Sequence, residues 1–221
     1  MASDFHTDDL SADSLPRALA RHAIELPPPR TETLDAYRKL LWDWNSKLNL
    51  TRHTDYEKFV ARDVVDSLVV ERRLAPDERV LDVGTGGGVP GIVLAIVRPD
   101  LTVTLSESVA KKARVVQQIV QELGLPIAAH HCRAEDLLGH QPFDTLVARA
   151  VAPLAKLLTW FQPHWGAFER LLVIKGPGWV EERHEARQRN LFKGLRLRKL
   201  DTWPLPGTKS ESVLLEIRPE P

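Results

Sequence analysis

One segment constrains this chain more than any other: Val80-Leu81-Asp82-Val83-Gly84-Thr85-Gly86-Gly87-Gly88-Val89-Pro90-Gly91. An apolar run of strand character enters a turn with four glycines in five positions, and Pro90 marks the helix that follows. Positions without side chains let the backbone come close to a ligand, and the first amides of a helix lack intrahelical partners. Such a turn is built for a nucleotide-type cofactor. It belongs in an α/β fold whose strands run parallel.

The rest of the pattern agrees. Short apolar runs predict strands at 79–83, 101–106, 127–132, 143–148, 170–175, 195–201 and 212–218. Helical stretches are expected at 90–98, 109–123, 151–161 and 178–192. Alternating strand and helix argues for a sheet covered on both faces. The last two strands have only Leu205-Pro206-Gly207-Thr208-Lys209-Ser210 between them, a link that joins antiparallel neighbours. The expected architecture is therefore a seven-stranded, mostly parallel sheet ending in an antiparallel hairpin.

Ahead of the first strand, apolar positions from Thr33 to Leu48 recur at helical spacing, with Trp42 off the stripe. Thr54 stands three residues before Glu57, the spacing of a capping box opening a second helix. Ser14 is placed to cap a short helix through Ile24, and Pro27-Pro28-Pro29 reads as a stiff joint. These features divide the 221 residues into a mobile acidic tip (1–13), a helical cap (14–76) and a cofactor-binding domain (77–221). One cysteine, Cys132, excludes an internal disulfide, and no apolar run nears the length of a membrane span. A cytoplasmic location is expected, and nothing in the sequence demands more than a monomer.

Two cofactor classes compete for the glycine turn. Gly86-x-Gly88-x-x-Gly91 matches the dinucleotide fingerprint, and Glu107 lies 21 residues past Gly86, where a ribose-binding acid belongs. That reading makes the chain an NAD-dependent dehydrogenase. The frame Asp82-x-Gly84-x-Gly86-x-Gly88 fits a class I, Rossmann-like methyltransferase that binds S-adenosylmethionine. A pyrophosphate tolerates no nearby anion, whereas the ammonium of S-adenosylmethionine suits one, so Asp82 favours the sulfonium cofactor. Glu107 would then accept from both ribose hydroxyls. Ala134-Glu135-Asp136 follows the third strand, where such folds meet the adenine, and the fourth strand ends in Ala148-Arg149-Ala150-Val151. Arginine stays protonated and cannot be a general base.

The run Trp44-Asn45, Asn49-Leu50-Thr51, Arg62-Asp63-Val64-Val65-Asp66-Ser67, the glycine turn, Ala148-Arg149-Ala150-Val151 and Lys175-Gly176 resembles the RsmG family, also called glucose-inhibited division protein B. The resemblance covers about residues 15–218. It implies methylation of guanine N7 in bacterial 16S ribosomal RNA, with the rRNA or the 30S subunit as partner. Carried over by position, Gly84, Val89, Ala134, Glu135 and Arg149 line the cofactor site, with Asp82, Gly86 and Glu107 beside them. Arg62, Asp66, Ser67 and Lys175 are candidates for the guanine side. The chain departs from the family at Asp63, where a histidine is usual. A relative that keeps the fold and binds RNA without catalysis is the alternative from another class.

Zero net charge excludes a uniformly basic coat, but the charge is segregated. Residues 1–36 hold seven acids and three bases, whereas residues 170–199 hold nine bases and three acids. Phosphate contacts need cations. Arg183, Arg187, Arg189, Lys193, Arg196, Arg198 and Lys199 form one candidate cluster. Arg38, Lys39, Lys47, Arg52, Lys58 and Arg62 form a second. His130-His131-Cys132 does not read as a metal site, because neighbours on a strand point to opposite faces.

Overall fold

A computed structural model describes residues 13–205 and 207–220; the acidic tip, apart from Asp13, lies outside the described residues. The order is α1 (Leu15–Arg21), α2 (Pro28–Asn45), α3 (Tyr56–Lys58), a π-helical turn (Phe59–Val64) and α4 (Val65–Glu71). Then come β1 (Arg79–Val83), α5 (Gly91–Val97), β2 (Thr102–Ser106), α6 (Ala110–Glu122), β3 (Ala128–His130) and α7 (Ala134–Leu138). The chain finishes with β4 (Thr145–Arg149), α8 (Leu154–Phe161), β5 (Arg170–Lys175), α9 (Trp179–Gln188), β6 (Leu195–Pro204) and β7 (Glu211–Pro219).

The seven strands lie in the order β3-β2-β1-β4-β5-β7-β6. β1 to β5 are mutually parallel, and β7 inserts antiparallel between β5 and β6. Alternation along each strand splits the core in two. Val80, Val103, Leu105 and Val147 face one side, under α1, α2, α4, α5 and α6. Leu81, Val83, Leu146, Ala148 and Val173 face the other, under α7, α8 and part of α9. The N-terminal helices are continuous with the first core: Leu15, Leu34, Tyr37 and Phe59 are buried within the same cluster as Ile92 and Val93. Among the described residues, no helix is long and apolar enough to cross a membrane.

Several local expectations are corrected. Pro27 to Arg30 is no joint, because α2 begins at Pro28, where proline's fixed φ and missing N–H suit a first turn. Ser14 precedes α1 but its side chain makes no capping bond. Asp55, not Thr54, caps α3 by accepting from the Lys58 amide at 2.7 Å. β3 ends at His130, two residues early, and α8 begins only at Leu154, after Ala150 adopts a left-handed φ of 56°. Trp42 is accounted for within the fold. Its indole N–H donates to the His53 carbonyl at 2.9 Å, and its ring packs against Tyr56, Phe59 and the Arg38 guanidinium.

Candidate active site

Strand order reverses between β1 and β4, and in open α/β sheets the crevice at that reversal is where ligands bind. β1 and β4 pair as far as Val83 and Ala148, so Gly84 and Arg149 emerge side by side at the crevice. Gly84 and Gly86 both have φ of +61° and Gly88 +105°, conformations that a side chain strains. A methyl group at Gly84 would come within 3.1 Å of Val151, the residue that links this turn to the neighbouring pocket. At Gly86 it would meet only the Gly84 carbonyl oxygen, at 4.0 Å. The turn is open there.

Glu107 closes one wall of that opening. Its Oε2 accepts from the Gly86 amide at 3.0 Å and its Oε1 from the Val109 amide at 2.8 Å, so both oxygens are fixed at the end of β2. Each still has a lone pair for a hydroxyl donor. Asp82 sits beneath the turn and is fully buried. Its Oδ2 accepts from the Thr85 hydroxyl at 2.6 Å and the Gly91 amide at 2.9 Å, while Oδ1 has no hydrogen-bond partner among the described residues. Burial pushes its pKa up to about 6 against the pull of those two hydrogen bonds. Val89 and Ala134 are buried beside the turn and at the start of α7. Glu135 meets the Arg133 guanidinium at 2.6 Å, and Asp136 accepts from the Arg133 amide.

These residues fit S-adenosylmethionine. The open face at Gly86 admits a ligand against the backbone, the fixed Glu107 carboxylate suits a vicinal diol, and a buried, unpaired Asp82 oxygen suits a cationic end or its water. The reversed β7 also departs from the six-stranded dinucleotide fold, whose strand order is 3-2-1-4-5-6. The dehydrogenase reading is therefore not favoured.

Beyond Val151 a cavity of about 1070 Å³ opens over the ends of β4 and β5. It brings together Arg62, Asp66, Arg149 and Lys175, four of the residues singled out in the sequence. Ser67 is not among them. It is buried and donates to the Asp63 carbonyl at 2.7 Å, one turn back along its own helix. Arg149 Nη2 lies 2.8 Å from Asp63 Oδ1 and Nη1 3.2 Å from Asp66 Oδ2. Burial works against the Arg149 charge, but the two carboxylates outweigh it and hold its pKa above the usual guanidinium value. Burial raises the Asp66 pKa despite the cations beside it.

Partners that the sequence did not reveal complete the network. His53 Nδ1 is 2.8 Å from Asp63 Oδ1, and the Trp203 indole donates to Asp66 Oδ1 at 2.9 Å. Asp63 is thus an internal anchor for Arg149 in this chain. Lys175 Nζ lies 2.6 Å from both the Ala152 carbonyl and Glu182 Oε2, and Glu182 was also missed. The sequence signal for Glu182 was its place in the first turn of the helix after Lys175-Gly176.

The basic clusters are only partly available. Arg38 is buried against Asp35, Trp42 and Tyr56, Lys58 pairs with Asp55, and Arg189 pairs with Glu185. Arg52 and Arg62 line the cavity. Arg196, Arg198 and Lys199 are exposed on β6, an edge strand that charge keeps from pairing further.

The comparisons with known proteins agree with this geometry. Residues 30–204 match the model of GidB, rRNA small subunit methyltransferase G. A ribosomal RNA small subunit methyltransferase G of Rhodopirellula baltica is 48% identical over 194 residues, covering 88% of this chain and 84% of that protein. The protein of that name from Halorhodospira halophila is 41% identical, covering 72% of this chain and 76% of its own. Among solved structures, a mutant of MtNAS in complex with S-adenosylmethionine superposes with a TM-score of 0.55 at 17% identity, covering 87% of this chain and 76% of that one. An rRNA methylase from Streptococcus thermophilus gives 0.51 at 14%, with 72% and 96% covered. The sheet order, the glycine turn and a match that spans most of the chain lead to one assignment: the chain belongs to the GidB family, rRNA small subunit methyltransferase G.

Proposed function

We propose that this protein uses S-adenosylmethionine to methylate guanine N7 in 16S rRNA of the small ribosomal subunit, acting in the cytoplasm as a monomer. The observation that carries the reading is the open Gly86 backbone beside the fixed Glu107 carboxylate, joined through Val151 to a cavity holding Arg149 and Lys175. Two ligands can thus meet at the carboxyl ends of neighbouring central strands.

S-adenosylmethionine supplies an electrophilic methyl group. The chain's own residues position its partners. Gly84 and Gly86 present bare backbone, Glu107 accepts from the ribose hydroxyls, and Ala134 and Glu135 lie at the adenine side. Guanine N7 already carries a lone pair, so no proton must leave and no general base is required. Arg149 suits that chemistry, because a guanidinium held by two carboxylates orients groups without taking a proton. Placing the reactants within about 3–3.5 Å supplies about 7–11 kcal/mol of barrier lowering. Arg62, Asp66 and Lys175 face the guanine from the cavity, and Arg52 beside them offers a phosphate contact.

The test is transfer of label from methyl-labelled S-adenosylmethionine to unmethylated 30S subunits or 16S rRNA, followed by mapping of the modified base. Label on a guanine N7 is the expected result. Cofactor binding without transfer to either RNA substrate would identify a non-catalytic RNA-binding relative instead.

A further inference from the structure

Lys175, placed above on the guanine side of the cavity, forms an ion pair with Glu182 that leaves hydrogen-bonding capacity on both partners. Lys175 ends β5 and is buried, with Nζ 2.6 Å from the Ala152 carbonyl and 2.6 Å from Glu182 Oε2. An ammonium has three donors, so one remains. Glu182, in the first turn of α9, spends Oε2 on Lys175 and on the Leu154 amide at 2.8 Å. Its Oε1 has no partner among the described residues, and both side chains line the cavity. The pair therefore offers one fixed donor beside one fixed acceptor.

Purines differ in this pattern. Guanine presents an acceptor, O6, next to a donor, N1–H; adenine presents the N6 amino donor next to the N1 acceptor. Enzymes that act on a single base read it through this edge. Resting on the reading that guanine is the substrate, we infer that the Lys175–Glu182 pair is the base-selecting element: Lys175 donates to O6 and Glu182 Oε1 accepts from N1–H. Adenine reverses both contacts, setting its amino group against the ammonium and its N1 lone pair against the carboxylate. A site built for hydrogen bonds rejects the base that leaves them unmade. N7 lies on the adjacent major-groove edge, two bonds from the carbon that carries O6, so contacts to O6 and N1–H leave the N7 lone pair free for the sulfonium.

The experiment uses 30S subunits reconstituted with 16S rRNA that carries guanosine or adenosine at the mapped position, with methyl incorporation followed by mass spectrometry. Glu182→Gln keeps an acceptor for the Leu154 amide, and its NH₂ can face adenine N1. Lys175→Gln removes the charge on the O6 side. Circular dichroism checks that each is folded. The wild-type ratio of kcat/KM for guanosine over adenosine is expected to fall at least about 10-fold in either folded variant, the effect of one charged hydrogen bond. Slower transfer with an unchanged ratio in both variants overturns the inference and leaves the pair a structural tie. Wild-type protein that labels no guanosine at all would instead remove the functional reading on which the inference rests.

Discussion

The Tyr37 hydroxyl donates to the Gly87 carbonyl at 2.9 Å, tying a helix of the N-terminal segment to the cofactor turn 50 residues downstream. Both residues are buried, and burial raises the Tyr37 pKa well above its ordinary value, so the phenol stays a donor. Tyr37→Phe leaves that carbonyl without its partner, which costs about 1–3 kcal/mol. Urea unfolding should show the loss, and calorimetry should show weaker S-adenosylmethionine binding because the turn is less firmly held. Unchanged cofactor affinity in a destabilised variant would mean that α2 supports the fold but not the turn.

Arg149 joins β4 to the π-helical turn and α4 through Asp63 and Asp66, which are both fully buried. Arg149→Met removes the guanidinium shared by two buried carboxylates, leaving Asp63 with His53 and Asp66 with Trp203 and the more distant Arg62; breaking a buried pair from one side costs about 3–5 kcal/mol. Asp63→Asn leaves Arg149 with Asp66 and should cost less. Denaturant midpoints of the two variants give the order. Methyl transfer should fall in Arg149→Met even where cofactor binding persists; intact turnover would put Arg149 outside the reacting assembly.

What was readable in the sequence was local. Short apolar runs, the glycine turn and the short 205–210 link each depend on neighbouring residues; they yielded the strands and the closing hairpin and singled out Gly86 and Glu107, while the hydrogen bond between those two is seen only in the structure. The contacts that were not readable are made by topology. Asp66 and Trp203 are 137 positions apart and meet only because β6 returns past the first turn of α4. Ser67 was a candidate for the guanine side through the family resemblance, but adjacent helical residues point in different directions, and its hydroxyl turns inward. The three prolines were misread for a different reason. Polyproline segments and helix first turns require the same φ, so only the structure separates them.

Asp82 makes stability depend on pH in an identifiable direction. Its folded pKa of about 6 lies above the ordinary 3.8, so its contribution is full below about pH 3.8 and is lost as pH rises through about 6. A shift of about two pH units corresponds to about 3 kcal/mol. Asp82→Asn does not titrate. The wild type should therefore lose about 3 kcal/mol relative to Asp82→Asn between about pH 3 and pH 8, measured by chemical denaturation at each pH. A difference that is flat across that range would show that Asp82 titrates normally and is better solvated than its position implies.

Glu107 offers the sharpest test of the cofactor site, because its role can be separated from its support of the turn. Glu107→Ala removes the acceptor for two amides and for the ribose, so weaker binding alone does not distinguish the two effects. The 2′-deoxyribose analogue of S-adenosylhomocysteine does. If Glu107 holds the diol, wild-type protein should bind the analogue about 10- to 100-fold more weakly than S-adenosylhomocysteine, the value of a hydrogen bond to a charged group. Glu107→Ala should bind both weakly and nearly equally. Calorimetry with both ligands on both proteins completes the cycle. A Glu107→Ala protein that still prefers the intact ribose by the wild-type factor would place the diol on another residue and leave Glu107 as a clamp on Gly86 and Val109.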